Sequence, residues 1–249
     1  MKTHALPRCF IDPASWRGTE VVLGEEESHH LLKVLRMRTA DELTLFDGCG
    51  RSALARIAAT GRQARLQVTA ATIRHSPPPA VRIILIQAVP ARQLMDQIVE
   101  KAVELGAAGV IPVVTERVTA RGGEAAAARH ARWTKIIRAA ARQCGADWLP
   151  ELTPVMALEG VLPRIRACPL CLVGSLAPEA APLREVVSAI PGRPAEVMLV
   201  IGPEGDLSPS ETNCLQEAGA SLVSFGAGVM RVETAALYGL SLMRYEFLV

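Results

Sequence analysis

The spacing of hydrophobic residues changes at one point in the chain, where three prolines stand together. Before Pro77-Pro78-Pro79, short runs that alternate apolar and polar residues are typical of strands; after it, continuous apolar runs alternate with helical patterns. Three successive prolines continue neither a helix nor a β-ladder, and they form a stiff connector. The pattern therefore predicts two domains, residues 1–75 and residues 76–249.

The part before the prolines has the pattern of a small β-rich domain. Apolar residues at helical spacing predict a short helix over residues 25–36. Strand-like runs follow over residues 42–46, 52–58 and 64–72, and glycine-containing turns separate them. We predict that these strands form a small barrel or sheet.

Beyond the prolines, buried strands alternate with helices. The predicted strands cover residues 81–89, 110–114, 170–173, 197–201 and 221–225. The predicted helices cover residues 94–105, 124–142, 182–189, the stretch that begins after Ser208, and 233–247. This alternation predicts an α/β domain with a mostly parallel sheet and helices on both faces.

One segment combines a buried strand, a glycine-bounded loop and a well-marked helix start. The strand over residues 197–201 runs into Gly202-Pro203-Glu204-Gly205-Asp206, and its glycines permit sharp turns and close approach of a ligand. Ser208 is a favoured N-cap, Pro209 suits the first helical position, and Glu211 completes a capping box. Ligands of open α/β sheets bind beyond the carboxyl ends of strands, so this loop is the first candidate site.

A second strand also ends in glycines and feeds a helix. Gly226-Ala227-Gly228 follows the strand over residues 221–225 and leads into Met230-Arg231-Val232-Glu233-Thr234. Gly-x-Gly without a third glycine is a weak dinucleotide signal. The sequence also lacks GxxxxGK[ST], HExxH and GxSxG, which disfavours P-loop enzymes, zinc proteases and serine hydrolases.

Composition and charge say more about the cellular compartment of the protein than about its function. Of 249 residues, half are hydrophobic and the net charge is only +2, but residues 1–75 hold 11 Lys and Arg against 8 Asp and Glu. A mildly basic N-terminal part suits nucleic acid as well as a plain solvated surface. Six scattered cysteines, no secretory pattern near the start and no apolar run of about 20 residues predict a cytoplasmic protein outside the membrane. The lone Cys168-Pro169-Leu170-Cys171 has no second pair, and we predict no metal site.

The two loop segments together resemble the signatures of the RsmE family within the SPOUT superfamily of methyltransferases. That family is known by Leu-Ile-Gly-Pro-Glu-Gly-Gly and Leu-Arg-x-Glu-Thr-Ala, and this chain has Val200-Ile201-Gly202-Pro203-Glu204-Gly205-Asp206 and Met230-Arg231-Val232-Glu233-Thr234-Ala235. Further similar stretches, such as Lys101-Ala102-Val103-Glu104-Leu105-Gly106 and Thr115-Glu116-Arg117, occur in the family's order along nearly the whole chain.

The resemblance implies a fold, a cofactor and a substrate. Its members bind S-adenosylmethionine in a C-terminal trefoil knot of the α/β domain and carry an N-terminal PUA-like RNA-binding β-barrel. They form homodimers and methylate N3 of a uridine in small-subunit (16S) ribosomal RNA. For this chain the resemblance therefore implies a PUA-like domain over residues 1–75, a knotted SPOUT domain over residues 76–249, and ribosomal RNA or the small ribosomal subunit as partner.

Two positions depart from the family pattern. Asp206 replaces the second glycine of the Gly-Gly pair, so either the loop bends differently or this position does not need a left-handed backbone. Gly228 stands where family members often carry a basic residue, which removes a candidate phosphate contact.

The candidate site residues follow from the two loops and the basic N-terminal part. The predicted cofactor contacts are Val173, Gly174, Ile201, Gly202, Pro203, Glu204, Gly205, Gly226, Val229, Met230 and Thr234. We predict that Arg231 is catalytic, holding the RNA phosphate or a uracil carbonyl, and that Glu233 orients it. For Glu204, solvation, capping of a backbone amide and stabilisation of the sulfonium all remain open. The predicted RNA-binding residues are Arg8, Lys33, Arg36 and Arg38, with Lys33 and Arg36 on one helix face.

Two other functions remain open from the sequence. The first is a non-catalytic RNA-binding protein that retains the SPOUT fold, or a SPOUT methyltransferase that acts on another RNA. The second is a dinucleotide-dependent oxidoreductase, against which the missing third glycine argues.

Overall fold

A computed structural model of the protein describes residues 6–91, 94–117 and 124–248. The chain divides into two compact units, one of Met1–Pro78 with Arg138–Leu149, and one of Pro79–Ile137 with Pro150–Val249. The main division falls at the proline run. Residues 138–149, which the sequence pattern assigned to the second domain, belong to the first unit.

The first unit contains a six-stranded, mostly antiparallel sheet. Its elements are β1 (Arg8–Phe10), β2 (Glu20–Val22), α1 (Glu25–His29), β3 (Glu42–Phe46), β4 (Arg51–Ala59), β5 (Arg65–Val68) and β6 (Arg74–His75). The strand order is β1-β3-β4-β5-β2, and β6 pairs with β4. Among the pairings described in this unit, only β1–β3 is parallel.

Alternation along the strands builds the core of this unit. In β4, Ala53, Ala55 and Ile57 are buried, whereas Leu54 and Arg56 between them are exposed. Side chains in a strand point alternately to opposite faces, so this period places one face of the sheet in the core and the other in solvent. Buried side chains from the rest of the unit complete the core: Cys9, Ile11, Trp16, Val21, Leu23, Leu31, Leu43, Leu45, Leu66 and Val68.

Two local predictions in this unit need correction. The helix predicted over residues 25–36 is α1 followed by a π-helical turn, His30–Val34, and the chain then leaves the helix because the Met37 N–H bonds the Leu31 carbonyl. The strand predicted over residues 64–72 stops at Val68. A 3₁₀ turn follows, in which the Thr72 hydroxyl donates to the Thr69 carbonyl and accepts the Leu54 N–H, so local hydrogen bonds replace the ladder.

Side-chain and backbone bonds explain why Arg138–Leu149 belongs to the first unit. Asp147 Oδ1 accepts from Arg8 Nη2 at 2.7 Å, and its Oδ2 accepts from the Ser76 hydroxyl at 2.7 Å. Trp148 Nε1 donates to the Ser76 carbonyl at 3.1 Å. The Asp147 carboxylate thus joins residues 138–149 to β1 through Arg8 and to the residue after β6 through Ser76.

The second unit has alternating strands and helices. Its elements are β7 (Arg82–Ala88), α2 (Leu94–Glu104), β8 (Gly109–Val114), α3 (Glu124–Cys144, whose last residues belong to the first unit), β9 (Glu151–Leu152), β10 (Met156–Ala157), α4 (Leu162–Ala167), β11 (Leu170–Gly174), β12 (Ala181–Pro182), α5 (Leu183–Ser188), β13 (Glu196–Ile201), α6 (Pro209–Glu217), β14 (Ser221–Ser224) and α7 (Val232–Leu248). Every described pairing in its sheet is parallel, in the order β10-β8-β7-β13-β11-β14-β12, with β9 beside β8. The predicted mostly parallel α/β sheet is confirmed.

The central strands of this sheet are buried along their whole length. Residues 83–88 of β7 and residues 197–201 of β13 are buried without interruption. Continuous burial is expected for a parallel sheet covered on both faces. Helix α7 packs against β7, β13 and α2. The order β13-β11-β14 brings the carboxyl ends of three strands together, and this edge positions the candidate site.

The sequence predicts neither a membrane-spanning helix nor a metal site, and the described residues bear on both predictions. Within those ranges, no helix is both long and apolar enough to cross a membrane. No three His, Cys, Asp or Glu side chains of the described residues come together as a candidate metal site. In the lone C-x-x-C motif, burial raises the pKa of the Cys168 and Cys171 thiols, which disfavours the thiolate form that binds metals.

Candidate cofactor site

A cavity of about 520 Å³ opens in the second unit where β11, β13 and β14 end. It is lined by the residues after β13, which we call the first loop (residues 202–207), and by those after β14, the second loop (residues 225–231). Ten of the predicted cofactor and catalytic residues line it: Gly174, Ile201, Gly202, Pro203, Glu204, Gly226, Val229, Met230, Arg231 and Glu233. Two loops that are separate in sequence therefore enclose one space.

Hydrogen bonds from outside the first loop hold it in place. Glu204 Oε1 accepts the backbone N–H of Ala91 at 2.9 Å, and the Arg117 guanidinium donates to the Gly205 carbonyl. Of the roles open for Glu204, the structure thus shows the capping of a backbone amide.

The start of α6 fixes the far end of the first loop. Ser208 Oγ accepts the Glu211 N–H at 3.2 Å, and Glu211 Oε2 accepts the Ser208 N–H at 2.8 Å, which forms the capping box expected from the sequence. The second oxygen of Glu211 accepts the Glu116 N–H at 2.8 Å. Loop and helix are thereby tied to the end of β8.

Asp206 adopts the left-handed backbone conformation, with φ of 62°. Its N–H donates to the Pro203 carbonyl at 2.9 Å, and its own Oδ1 accepts the Leu207 N–H at 2.8 Å. The sequence left two interpretations open: a loop that bends differently, or a position that does not need a left-handed backbone. The observed conformation excludes the second. Aspartate tolerates this conformation because its short side chain bonds the backbone locally.

Small residues keep the cavity open. A Cβ added to Gly174 would lie 2.9 Å from Phe225 Cε2 and 3.1 Å from Ile201 Cδ1. A Cβ added to Gly202 would lie 3.3 Å from Leu207 Cγ and 3.4 Å from Asp206 Oδ1. The absence of a side chain at both glycines therefore lets the neighbouring residues of the two loops and of β13 pack closely at the cavity.

The second loop is open and exposed. Gly226 has φ of 116°, a conformation that favours glycine, and its N–H donates to the Ser224 hydroxyl at 3.2 Å. Val229 is 81% exposed although it is apolar. Helix α7 begins at Val232, one residue before the predicted start. The loop thus presents apolar and backbone groups at the cavity without burying them.

Arg231 and Glu233 both line the cavity but do not bind each other. Among the described residues, no hydrogen bond or ion pair joins the Arg231 guanidinium to the Glu233 carboxylate. Arg231 is exposed and Glu233 is half-buried. The orienting contact predicted for Glu233 is therefore not formed in this structure, and the guanidinium is accessible to a ligand.

Three predicted cofactor residues do not line the cavity, and several unpredicted ones do. Val173 is a buried core residue of β11, Gly205 has its carbonyl bonded to Arg117, and Thr234 is exposed on α7. The lining also includes Leu94, Ser175, Leu176, Asp206, Phe225, Gly228, Val232 and Ala235. Leu94 starts α2 and is distant in sequence, so no local motif signals it. For Asp206 the signal was its departure from the family pattern.

Arg8, a predicted RNA-binding residue, has structural contacts within the first unit. Its guanidinium binds Asp147 and lies 4.5 Å from the centroid of the Phe46 ring, and its side chain is 17% exposed. These contacts commit Arg8 to the fold rather than to solvent.

The other three predicted RNA-binding residues are exposed, but not on one helix face. Lys33 belongs to the π-helical turn, whereas Arg36 lies beyond it with φ of 57°. The shared helix face predicted for Lys33 and Arg36 is therefore wrong, because the helix ends between them. Arg38 is also exposed, and its backbone N–H donates to Asp41 Oδ2 at 2.7 Å. The three cations lie on one short exposed segment.

Comparisons with known proteins identify the family. Residues 77–244 match the model of the RNA methyltransferase domain, and residues 23–68 match that of the RNA methyltransferase PUA domain. A Mycobacterium bovis protein named ribosomal RNA small subunit methyltransferase E is 29% identical over 93% of this chain and 88% of its own length. A Bacillus subtilis protein of the same name is 26% identical over 89% of this chain and 88% of its own length.

Solved structures agree with these matches. A Neisseria gonorrhoeae ribosomal RNA small subunit methyltransferase E bound to S-adenosyl methionine is 28% identical, with a TM-score of 0.82 over 96% of this chain and 97% of that one. A Legionella pneumophila protein solved in complex with the cofactor SAM is 30% identical, with a TM-score of 0.86 over 96% of this chain and 97% of that one. The assignment made from the two loop signatures is confirmed, and the chain belongs to the RNA methyltransferase family.

Proposed function

We propose that this protein transfers a methyl group from S-adenosylmethionine to N3 of a uridine in small-subunit (16S) ribosomal RNA. One observation carries the proposal: the two glycine loops of the family signatures enclose a single cavity at the carboxyl ends of β13 and β14, the two parallel strands that flank β11. Ligands of open α/β sheets bind at this edge. The names of the relatives supply the substrate, and the bound cofactor in two similar structures supplies the donor.

The size and charge of the cavity suit this cofactor. A volume of about 520 Å³ falls within the range of about 300–1,000 Å³ that is typical of small-molecule sites. The lining carries three carboxylates and one guanidinium, on Glu204, Asp206, Glu233 and Arg231. An excess of carboxylates favours a ligand with cationic sulfonium and ammonium groups. Bound here, S-adenosylmethionine supplies an electrophilic methyl group.

The backbone and the apolar lining would hold the donor. Ile201, Gly202, Val229 and Met230 line the cavity, so their N–H and C=O groups would offer hydrogen-bond partners to an adenine ring, and Phe225 would add an aromatic wall. Three predicted contacts lie outside the cavity lining: Val173, Gly205 and Thr234. They would touch the cofactor only if neighbouring groups moved when it binds.

Arg231 is the proposed catalytic residue. Methylation of uracil N3 removes a weakly acidic proton, so negative charge develops on the ring and its carbonyl oxygens. An exposed guanidinium at the cavity would stabilise that charge. Alignment of N3 with the methyl group lowers the activation barrier by up to about 7–11 kcal/mol. A general base accelerates the reaction by roughly 10²–10⁴-fold, which corresponds to only about 3–5 kcal/mol. Positioning by the two loops is therefore the larger contribution, and Glu233 would orient the Arg231 guanidinium when the substrate is bound.

The first unit is the proposed RNA-binding part. It contains the match to the PUA domain, and Lys33, Arg36 and Arg38 are exposed on it. Exposed cations near the RNA backbone raise affinity through counterion release. Arg8 would act indirectly, through the Asp147 contact that holds the unit together.

Further proposals concern the chain path, the assembly and the compartment. We infer a trefoil knot formed by the C-terminal part of the α/β unit from the match of that unit to the RNA methyltransferase domain and from the SPOUT-like signatures of its two loops. We infer a homodimer, because α7 exposes Tyr238 and Tyr245 at 41% and 74% and the second loop exposes Val229. Six free cysteines support a reducing, cytoplasmic setting.

The direct test is methylation by the purified protein. Small ribosomal subunits and naked 16S RNA are incubated with labelled S-adenosylmethionine, and the modified nucleoside is identified by mass spectrometry. We expect 3-methyluridine in one of the two substrates. A product methylated at another position or on another RNA would replace the proposed substrate, and calorimetry without any cofactor binding would favour a non-catalytic RNA-binding protein.

A further inference from the structure

Asp206 places a carboxylate beside Gly202 in the lining of the cavity. Its Oδ1 lies 3.4 Å from the position that a Cβ on Gly202 would occupy, and both residues line the cavity. A cationic group of a ligand bound against this part of the lining would therefore be close to the Asp206 carboxylate.

The conformation of Asp206 separates it from the other acidic residues of the cavity. Its φ of 62° lies in the region that glycine adopts without strain. Asp206 Oδ1 accepts the Leu207 N–H within the first loop, whereas Glu204 Oε1 accepts the Ala91 N–H from outside the loop, and Glu233 lies on α7. A residue held in a sparsely populated conformation beside a ligand cavity is a recognised sign of a functional position.

We propose that Asp206 makes the site selective for the sulfonium form of the cofactor over its thioether product. The inference rests on the proposed function. In methyl transfer the sulfur–methyl bond breaks and the bond between N3 and the methyl carbon forms; the sulfur keeps the electron pair of the broken bond, and the N3 proton passes to solvent. The product sulfur is neutral, so the attraction to a carboxylate is present before the reaction and absent after it. Asp206 would then favour binding of the donor and release of S-adenosylhomocysteine.

The expected size of the effect follows from the exposure of Asp206. The residue is exposed, so its interaction with a charge is screened by water. A pair of charges about 4 Å apart in such surroundings changes affinity by about fivefold. The effect should diminish as the salt concentration rises, because exposed charges are screened within about 10 Å at 0.1 M salt.

Calorimetric titration of S-adenosylmethionine and S-adenosylhomocysteine tests the proposal. Asp206→Asn keeps an oxygen for the Leu207 N–H and tolerates the left-handed backbone, but it removes the charge. We expect its Kd for S-adenosylmethionine to rise about three- to fivefold while the Kd for S-adenosylhomocysteine changes less than about twofold. Asp206→Gly should show the same loss of selectivity with no backbone strain.

Glu217→Gln is the matched control, because Glu217 is an exposed carboxylate in the same unit outside the cavity lining. It should leave both affinities unchanged. Equal weakening of both ligands in Asp206→Asn, or no change in either, would overturn the proposal while leaving the proposed function intact. Failure of the wild-type protein to bind S-adenosylmethionine would refute the proposed function and this inference with it.

Discussion

The carboxylate of Glu211 accepts the backbone N–H of Glu116 at 2.8 Å, which ties the start of α6 to the residues after β8. Its other oxygen accepts the Ser208 N–H, and the residue is only 5% exposed. One buried carboxylate thus satisfies two backbone donors that would otherwise lack partners. Because α6 begins where the first loop ends, this contact also fixes the position of the candidate site.

Glu211→Gln should destabilise the second unit. An amide has only one oxygen, so one of the two backbone donors would face an NH₂ group in buried surroundings. We expect the free energy of unfolding to fall by about 1–3 kcal/mol, measured by urea denaturation. Cofactor affinity should fall as well, since the first loop loses an anchor. Glu217→Gln, an exposed change on the same helix, should leave stability within about 0.5 kcal/mol of wild type; equal losses in the two variants would contradict the assigned role.

Arg231→Ala should remove most methyl transfer without affecting folding. The guanidinium is exposed at the cavity and has no described partner, so its loss costs the folded state little. Loss of one group that stabilises developing charge reduces kcat by roughly 10²–10³-fold. Single-turnover assays and thermal melts measure the two effects. Arg166→Ala, which removes an exposed arginine of α4 outside the cavity lining, should keep near-normal turnover. Near-normal turnover in Arg231→Ala would rule out the catalytic role.

Gly202→Val should block cofactor binding. The new Cβ would lie 3.3 Å from Leu207 Cγ and 3.4 Å from Asp206 Oδ1, and the branched side chain would crowd the first loop at the cavity lining. We expect affinity for S-adenosylmethionine to drop by at least about fivefold in calorimetry, since overpacking costs about 1–3 kcal/mol. Gly24→Val is the control, because a Cβ there meets nothing within 4 Å. Unchanged affinity in Gly202→Val would exclude Gly202 from the site.

Two ion pairs of the first unit should differ sharply in their effect on stability. The Arg142 guanidinium donates to Glu27, whose side chain is 11% exposed and whose Oε2 also accepts the Cys9 thiol at 3.3 Å. Burial and the neighbouring Glu27 carboxylate raise the pKa of Cys9, so the thiol stays protonated and donates. Arg142→Ala would leave a buried carboxylate without its cation, and we expect a loss of about 3 kcal/mol.

The exposed pair of Arg56 and Glu42 provides the comparison. Its side chains are 61% and 51% exposed, so Arg56→Ala should cost less than about 1 kcal/mol. Both variants can be measured by urea denaturation of the whole chain. Similar losses in Arg142→Ala and Arg56→Ala would show that burial does not set the strength of the Glu27 contact.

Much of the site could be predicted from sequence because its signals are local. Ser208, Pro209 and Glu211 are within three positions of one another, and the capping box that they form depends on little else. Leu94 and Ser175 could not be found in this way, because they reach the cavity only through the order of the strands. The conformation of Arg36 could not be predicted either. The apolar spacing predicted a helix that included Arg36, but in the structure a π-helical turn ends that helix at Val34.

The sequence by itself determined the five longer strands of the α/β unit, all of its helices except α4, the parallel sheet and the two glycine loops, since burial periodicity and helix caps act over a few neighbouring residues. The tertiary structure alone decided which of those loops share a cavity, and it placed the end of α3 in the first unit through Asp147. It also decided that Asp206 takes a left-handed backbone. These outcomes depend on contacts between residues far apart in the chain, which no local pattern of residues specifies.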